Sequence, residues 1–199
     1  MRRWTFAVAI ACGAAVVLLG VKVHGMGHPL RIDLAMGRRL PVLSPRLADN
    51  IMALGRGAKF AFFVAVLTGV ALALRDRSSA VVAVVAAPVA MALTEWVGKP
   101  LAGRVEPLGP GYPSGHVTAA AVIAALIVVI GWRRWGWWGV AALLPVGLGI
   151  TSYMAITVVQ LHFHYFSDAV GGALVGFGTA AAVVSLQRDA KQVDHRIHV

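Results

Sequence analysis

His164 and Asp168 stand four residues apart, and Pro113, Ser114, Gly115 and His116 form a turn at the mouth of an apolar run. On a helix beginning near Tyr165 the first spacing lets an imidazole and a carboxylate meet. A carboxylate bonded to one ring nitrogen fixes the tautomer and makes the other nitrogen a better base or nucleophile. At the turn, free backbone N–H groups and the dipole of the helix opened by His116 favour an anion. Ser114 adds a hydroxyl there, and Gly115 permits close backbone approach. These residues compose a phosphate cradle with an acid beside it. Taken alone, Asp168 is equally well explained as an acidic residue favoured at a helix N-terminus.

The elements that position these groups are written in the hydropathy. The chain has 199 residues, is 59% hydrophobic and has a mean hydropathy of +0.78, a balance that water-soluble domains rarely show. Its apolar runs are Trp4 to Val21, Phe60 to Leu74, Ala80 to Val97, Val117 to Trp132, Trp137 to Val159 and Ala169 to Leu186. Each approaches the roughly 20 residues needed to cross a bilayer, where a lipid-exposed backbone must bond to itself as a helix. The expectation is an all-α, polytopic membrane protein, a bundle of six transmembrane helices in one domain. Residues 22–59 form an interfacial first loop, 60–186 the core and 187–199 a polar cytoplasmic tail.

The second run is short and is expected to extend backward past Lys59. Pro88 and Pro145 fall inside spans and predict kinks, while Gly172 and Gly176 offer a small-residue face for close packing. Met1, Arg2 and Arg3 ahead of apolar residues resemble a secretory signal, but the first run is long enough to span and no clear cleavage pattern follows. A retained first helix is expected. The lone cysteine, Cys12, lies in that run and excludes both an intrachain disulfide and a Cys-based metal site.

The net charge of +10 is scattered between apolar runs and forms no basic face suited to nucleic acid. Membrane lipids with anionic headgroups fit better as partners. Arg75 with Arg77, Arg133 with Arg134, and Arg188 with Lys191 share a side with Arg2 and Arg3, which the positive-inside rule makes cytoplasmic. Against this, the first loop places Arg31, Arg38, Arg39, Arg46 and Arg56 outside. Two crossings separate residues 99–116 from 160–168, so both return to the outer face. Trp132, Trp135, Trp137 and Trp138 read as an interfacial belt.

Here the chain resembles the type 2 phosphatidic acid phosphatases, also called lipid phosphate phosphatases, over roughly residues 60–186. The family's first motif is a lysine, six residues and Arg-Pro; Lys99 matches, and Glu106 with Pro107 end it here. The second, Pro-Ser-Gly-His, is complete at Pro113 to His116. The third is Ser-Arg, five residues, His, three residues, Asp; His164 and Asp168 match, and Thr157 with Val158 replace Ser-Arg. Both departures remove a phosphate-binding cation.

The resemblance implies that His164 attacks phosphorus, Asp168 steadies its imidazolium, and His116 protonates the leaving group. Lys99, Arg104, Ser114 and Gly115 would bind the phosphoryl oxygens, Arg104 taking over part of the missing arginines' task. The implied substrate is a lipid phosphate or diphosphate, of polyprenyl or glycerolipid type, handled outside the cytoplasm with no metal or other cofactor. Glu95 and Lys99, four apart, predict an ion pair that holds the lysine in place. His162 has no assigned role, and His24, His28, His195 and His198 read as exposed loop or tail residues. Two alternatives stay open: an impaired homologue that binds anionic lipid, motivated by Glu106 and Val158, and a lipid transporter.

Overall fold

A computed structural model describes residues 2–41, 43–106 and 109–187. The polar tail from Arg188 onward, with Lys191, His195 and His198, and the motif residue Pro107 lie outside the described residues. The helices are α1 (Arg2–Val23), α2 (Arg31–Gly37), α3 (Pro45–Leu54), α4 (Gly57–Ala73), α5 (Arg77–Ala92), α6 (Lys99–Ala102), α7 (Gly115–Trp135), α8 (Trp137–Gln160) and α9 (Phe166–Leu186). A π-helical segment, Leu93–Gly98, joins α5 to α6. A two-residue hairpin, β1 (Val105–Glu106) with β2 (Gly109–Pro110), follows α6.

The centre of the bundle is α7, because its sequence is rich in alanine and its neighbours meet it with glycines. Val117, Ala119, Ala121, Val122 and Ala124 are fully buried. A β-carbon on Gly172 would stand 2.4 Å from the Ser114 carbonyl oxygen, and one on Gly176 would stand 2.6 Å from the Ala121 β-carbon. Helices that approach this closely gain dispersion contacts that lipid tails would otherwise supply. On the other flank Gly139 abuts the Gly131 backbone, closing the α7–α8 turn. Outward-facing side chains are large and apolar, as on α1, where Trp4, Phe6, Ile10 and Leu18 are exposed. Trp135, Trp137 and Trp138 are exposed together at one rim, as an interfacial belt requires.

Five helices are long and apolar enough to cross a membrane; a sixth crossing results when Arg46–Ala53 and Gly57–Ala73 are taken as one span bent by 63°. This is the extension of the second run past Lys59. Pro88 and Pro145 both lie inside helices that continue past them. The rim opposite the motifs is tied by Arg133, which bonds Gln187, while the Gln187 amide donates to the Ser78 carbonyl at 2.8 Å. The protein is a multi-pass membrane protein.

The first loop is more than a connector. Its short helix α2 buries Asp33 against the start of α9, and Tyr112 wedges between α1 and α9, donating its hydroxyl to the Val16 carbonyl at 2.7 Å. Because the Gly172 contact is with backbone, which cannot rotate away, Gly172→Val should part α7 from α9 at their motif-bearing ends. Overpacking of this kind costs roughly 1–3 kcal/mol, so the variant's thermal midpoint in detergent should fall. An unchanged midpoint would show that the approach is not tight.

Candidate active site

A cavity of about 370 Å³ opens where the π-helical segment, the α7 N-terminus and the α8–α9 loop converge, and Lys99, Gly115, His116 and His164 all line it. The two motif-bearing segments therefore share one face, as the alternation of spans requires. Ser114, Arg104 and Asp168 do not line it.

His116 sits in the first turn of α7, and its Nε2 is buried without a hydrogen-bond partner. Gly55, at the α3–α4 bend, packs directly on the ring; a β-carbon there would stand 2.8 Å from His116 Cδ2. Ser114 lies behind the cavity. Its hydroxyl is buried and unpartnered, while its N–H donates to the Asp168 carbonyl at 3.0 Å and its own carbonyl accepts from Thr118. Ser114 thus joins α7 to α9 through backbone, and the expected hydroxyl contact with substrate has no opening to the cavity.

His164 is held in the turn after α8, where its N–H and that of Phe163 both donate to the Val158 carbonyl at 3.2 and 3.0 Å. His162 supplies the left-handed step of that turn, with φ of +56°, and is exposed. The expected carboxylate partner of His164 was Asp168. The structure places Glu106 there instead, with Oε2 3.1 Å from His164 Nδ1 and Oε1 accepting the Tyr165 N–H at 3.1 Å. Gly111 makes the room, since a β-carbon on it would meet Glu106 Cδ at 2.7 Å. The residue that breaks the first motif thus performs the orienting contact. Burial lowers the His164 imidazole from its ordinary value to about 4, against the pull of the Asp168 charge, which raises it.

Asp168 turns the other way. Its Oδ2 accepts the Tyr165 N–H at 2.9 Å, capping α9, and its Oδ1 accepts from Arg104 Nη1 at 2.7 Å. Arg104 also departs from expectation: its side chain is fully buried and none of it reaches the cavity. Nη1 donates to Ser167 Oγ at 2.7 Å and Nη2 to Asp33 Oδ2 at 3.1 Å, while the guanidinium lies 4.6 Å from the Tyr165 ring centroid. Asp33 in turn accepts the Ser167 N–H at 2.7 Å. One guanidinium therefore joins the first loop, the hairpin and the start of α9.

Lys99 reaches the cavity paired with Glu95, its Nζ 2.8 and 2.7 Å from the two carboxylate oxygens. The π-helical segment that carries Glu95 brings that carboxylate in front of Gly115, where a β-carbon would stand 2.6 Å from Oε1. Val158 is fully buried among Met52, Val117 and Met154, an apolar environment in which the family's arginine would have no partner. Glu106, His164 and Asp168 have ligand atoms within 4.8 Å of one another, the spacing of a metal site. Their inward atoms are engaged by protein donors, with the Arg104 cation bonded to Asp168, so the donor set fits a proton-linked cluster better than a divalent ion.

Sequence reasoning missed Asp33, the orienting role of Glu106, and Arg56, which also lines the cavity. Some signal was present: Asp33 is one of two acids in the basic stretch 22–59, and Arg56 lies between two glycines. Removing one partner of a buried ion cluster is strongly destabilising, by roughly 3–5 kcal/mol, because the remaining charges stay buried. Arg104→Met should accordingly lower the thermal midpoint sharply by stranding Asp33 and Asp168. A midpoint equal to wild type would show that the cluster is not holding the loop.

Comparison with known proteins gives the family and the fold. Residues 93–192 match the PAP2 superfamily. A solved structure, the first transmembrane PAP2 type phosphatidylglycerolphosphate phosphatase from Bacillus subtilis, is similar with a TM-score of 0.72 at 17% identity. The likeness covers 95% of this chain and 96% of that one. No curated protein matches the sequence. The matched half holds the cavity's Lys99, His116 and His164, and the chain belongs to the PAP2 superfamily.

Proposed function

We propose that this protein is a membrane phosphatase that removes phosphate from a lipid phosphate or diphosphate, at headgroup level on the extracytoplasmic side. The observation that carries the reading is the pairing of two imidazoles from different spans across one cavity, one oriented by a carboxylate and one with an unsatisfied nitrogen. Glu106 accepting from His164 Nδ1 leaves the Nε2 lone pair free to attack. A bond forms from Nε2 to phosphorus as the phosphorus–oxygen bond to the lipid breaks, and His116, which takes up a proton together with the incoming phosphoryl anion, gives that proton to the departing oxygen. Water then attacks the phosphohistidine, His116 takes its proton, and inorganic phosphate leaves. Glu106 stabilises the imidazolium in between.

A second cavity of about 620 Å³ has His164 in common with the first and is lined by Leu34, Leu40, Leu161 and Phe166, with Glu106 and Arg38 among its polar members. This mixed apolar and polar lining suits the part of a lipid next to its headgroup. The solved relative's substrate, a glycerolipid phosphate, is of the class proposed here. The scheme requires no metal. Arg75, Arg77, Arg133 and Arg134 lie at the rim opposite the cavity, which supports the extracytoplasmic placement.

The test is phosphate release from phosphatidylglycerol phosphate, phosphatidate and a polyprenyl diphosphate, presented to right-side-out vesicles in excess chelator. Wild type should turn over at least one of them and label covalently at His164, while His164→Ala should do neither. Equal rates from the two proteins would remove the enzyme reading. The pH dependence follows from the lowered His164 value. The nucleophile stays neutral until pH approaches about 4 rather than 6.5, so its acid limb should lie near the lower figure. Unfolded chain takes up this proton near 6.5, so the residue's contribution to stability is complete above that pH and is lost as pH falls toward 4. A nucleophile limb at 6.5 would contradict the buried, neutral ring.

A further inference from the structure

A phosphoryl group brings charge into a partly buried site and needs fixed cations to meet it. The usual motif positions do not supply them here. Glu106 is an anion bound to His164, Val158 is packed in apolar core, and Arg104 is sealed behind the cavity by Asp33 and Asp168. Lys99 is present, but Glu95 holds it through both carboxylate oxygens, so that pair brings no net charge.

We infer that Arg56, delivered by the bend between α3 and α4, is the phosphate-binding cation that stands in for the two missing motif arginines. This rests on the phosphatase reading above. Arg56 lines the same cavity as His116, His164 and Lys99 and is exposed; its backbone is bonded at the start of α4, while its guanidinium makes no hydrogen bond or ion pair with any described residue. Its placement is built: the chain turns by 63° between Ala53 and Gly57, and Gly55 is pressed against the His116 ring. Arg56 thus directly follows a residue that touches His116. Its guanidinium presents donors in a planar fork that matches two phosphoryl oxygens at once. It also lies outside residues 93–192, the part matched by the superfamily, so the cation comes from a segment the motifs do not cover.

The experiment compares full-length wild type, Arg56→Ala, Arg56→Lys and His164→Ala in phosphatidylcholine vesicles carrying phosphatidylglycerol phosphate or phosphatidate. Two readouts are used: phosphate release, and binding of inorganic phosphate followed by its protection of the thermal midpoint. Arg56→Ala should lose about 10²- to 10³-fold in kcat/KM, the cost of removing one electrostatic donor. It should bind inorganic phosphate at least roughly tenfold more weakly, as loss of a charged hydrogen bond implies. Its ligand-free midpoint should match wild type, and added guanidinium should restore part of the rate. Arg56→Lys should fall between the two.

Wild-type rate and phosphate binding in Arg56→Ala, with His164→Ala inactive, would overturn the inference and leave the phosphatase reading standing. A lowered midpoint in both Arg56 variants, without guanidinium rescue, would overturn it in favour of a structural role. Equal activity of His164→Ala and wild type would remove the phosphatase reading itself. In that case phosphate binding alone decides the role of Arg56.

Discussion

The buried guanidinium of Arg104 is the contact on which the arrangement of the motif-bearing face depends. It neutralises Asp33 from the first loop and Asp168 from α9, and stacks on Tyr165, with its side chain wholly removed from solvent. Carboxylates at the third position of two different helices would repel if brought together alone. The cation between them converts that repulsion into a joint, and everything attached follows. The hairpin that begins at Val105 presents Glu106 to His164, and the start of α9 offers its Asp168 carbonyl to the Ser114 N–H. The two imidazoles face one cavity because their segments hang from this joint.

The helices were legible in the sequence because lipid imposes a simple rule: a span must be long, apolar and self-bonded. All six runs recur as helices, and alternation of faces follows from counting crossings. Which side chain meets which was not legible, because spacing states proximity without direction. His164 and Asp168 are four apart and their polar atoms lie within 4.8 Å, yet His164 precedes the helix that Asp168 caps, so each is hydrogen-bonded to a different partner. Arg104 sits within the first motif's span, yet the fold turns it inward to Asp33, a residue 71 positions away. Arg56 gave a sequence signal only in its flanking glycines, since its position depends on a bend that no periodicity encodes.

The motif histidines share one cavity here while the charges around them differ from the family's motifs. The first motif's arginine position holds the carboxylate bonded to His164, and the third motif's aspartate caps α9 and pairs with Arg104. Motif matching would have counted these as one loss and one match. The geometry reverses the sense of both. Residue identity and residue role have separated, which is possible because an imidazole needs a carboxylate at one nitrogen and is indifferent to the strand or helix that brings it.

The fit of Gly111 against the Glu106 side chain makes position 106 dependent on its neighbours. An arginine reinstated at 106 would carry its positive head beside His164 and Tyr165, leaving the imidazole without an acceptor, and an arginine at 158 would enter the Met52–Val117–Met154 cluster. Neither reversal improves the site by itself. The sign of the charge at 106 is therefore coupled to its surroundings, and a productive arginine there would require residue 111 and the acceptor of His164 to change in concert.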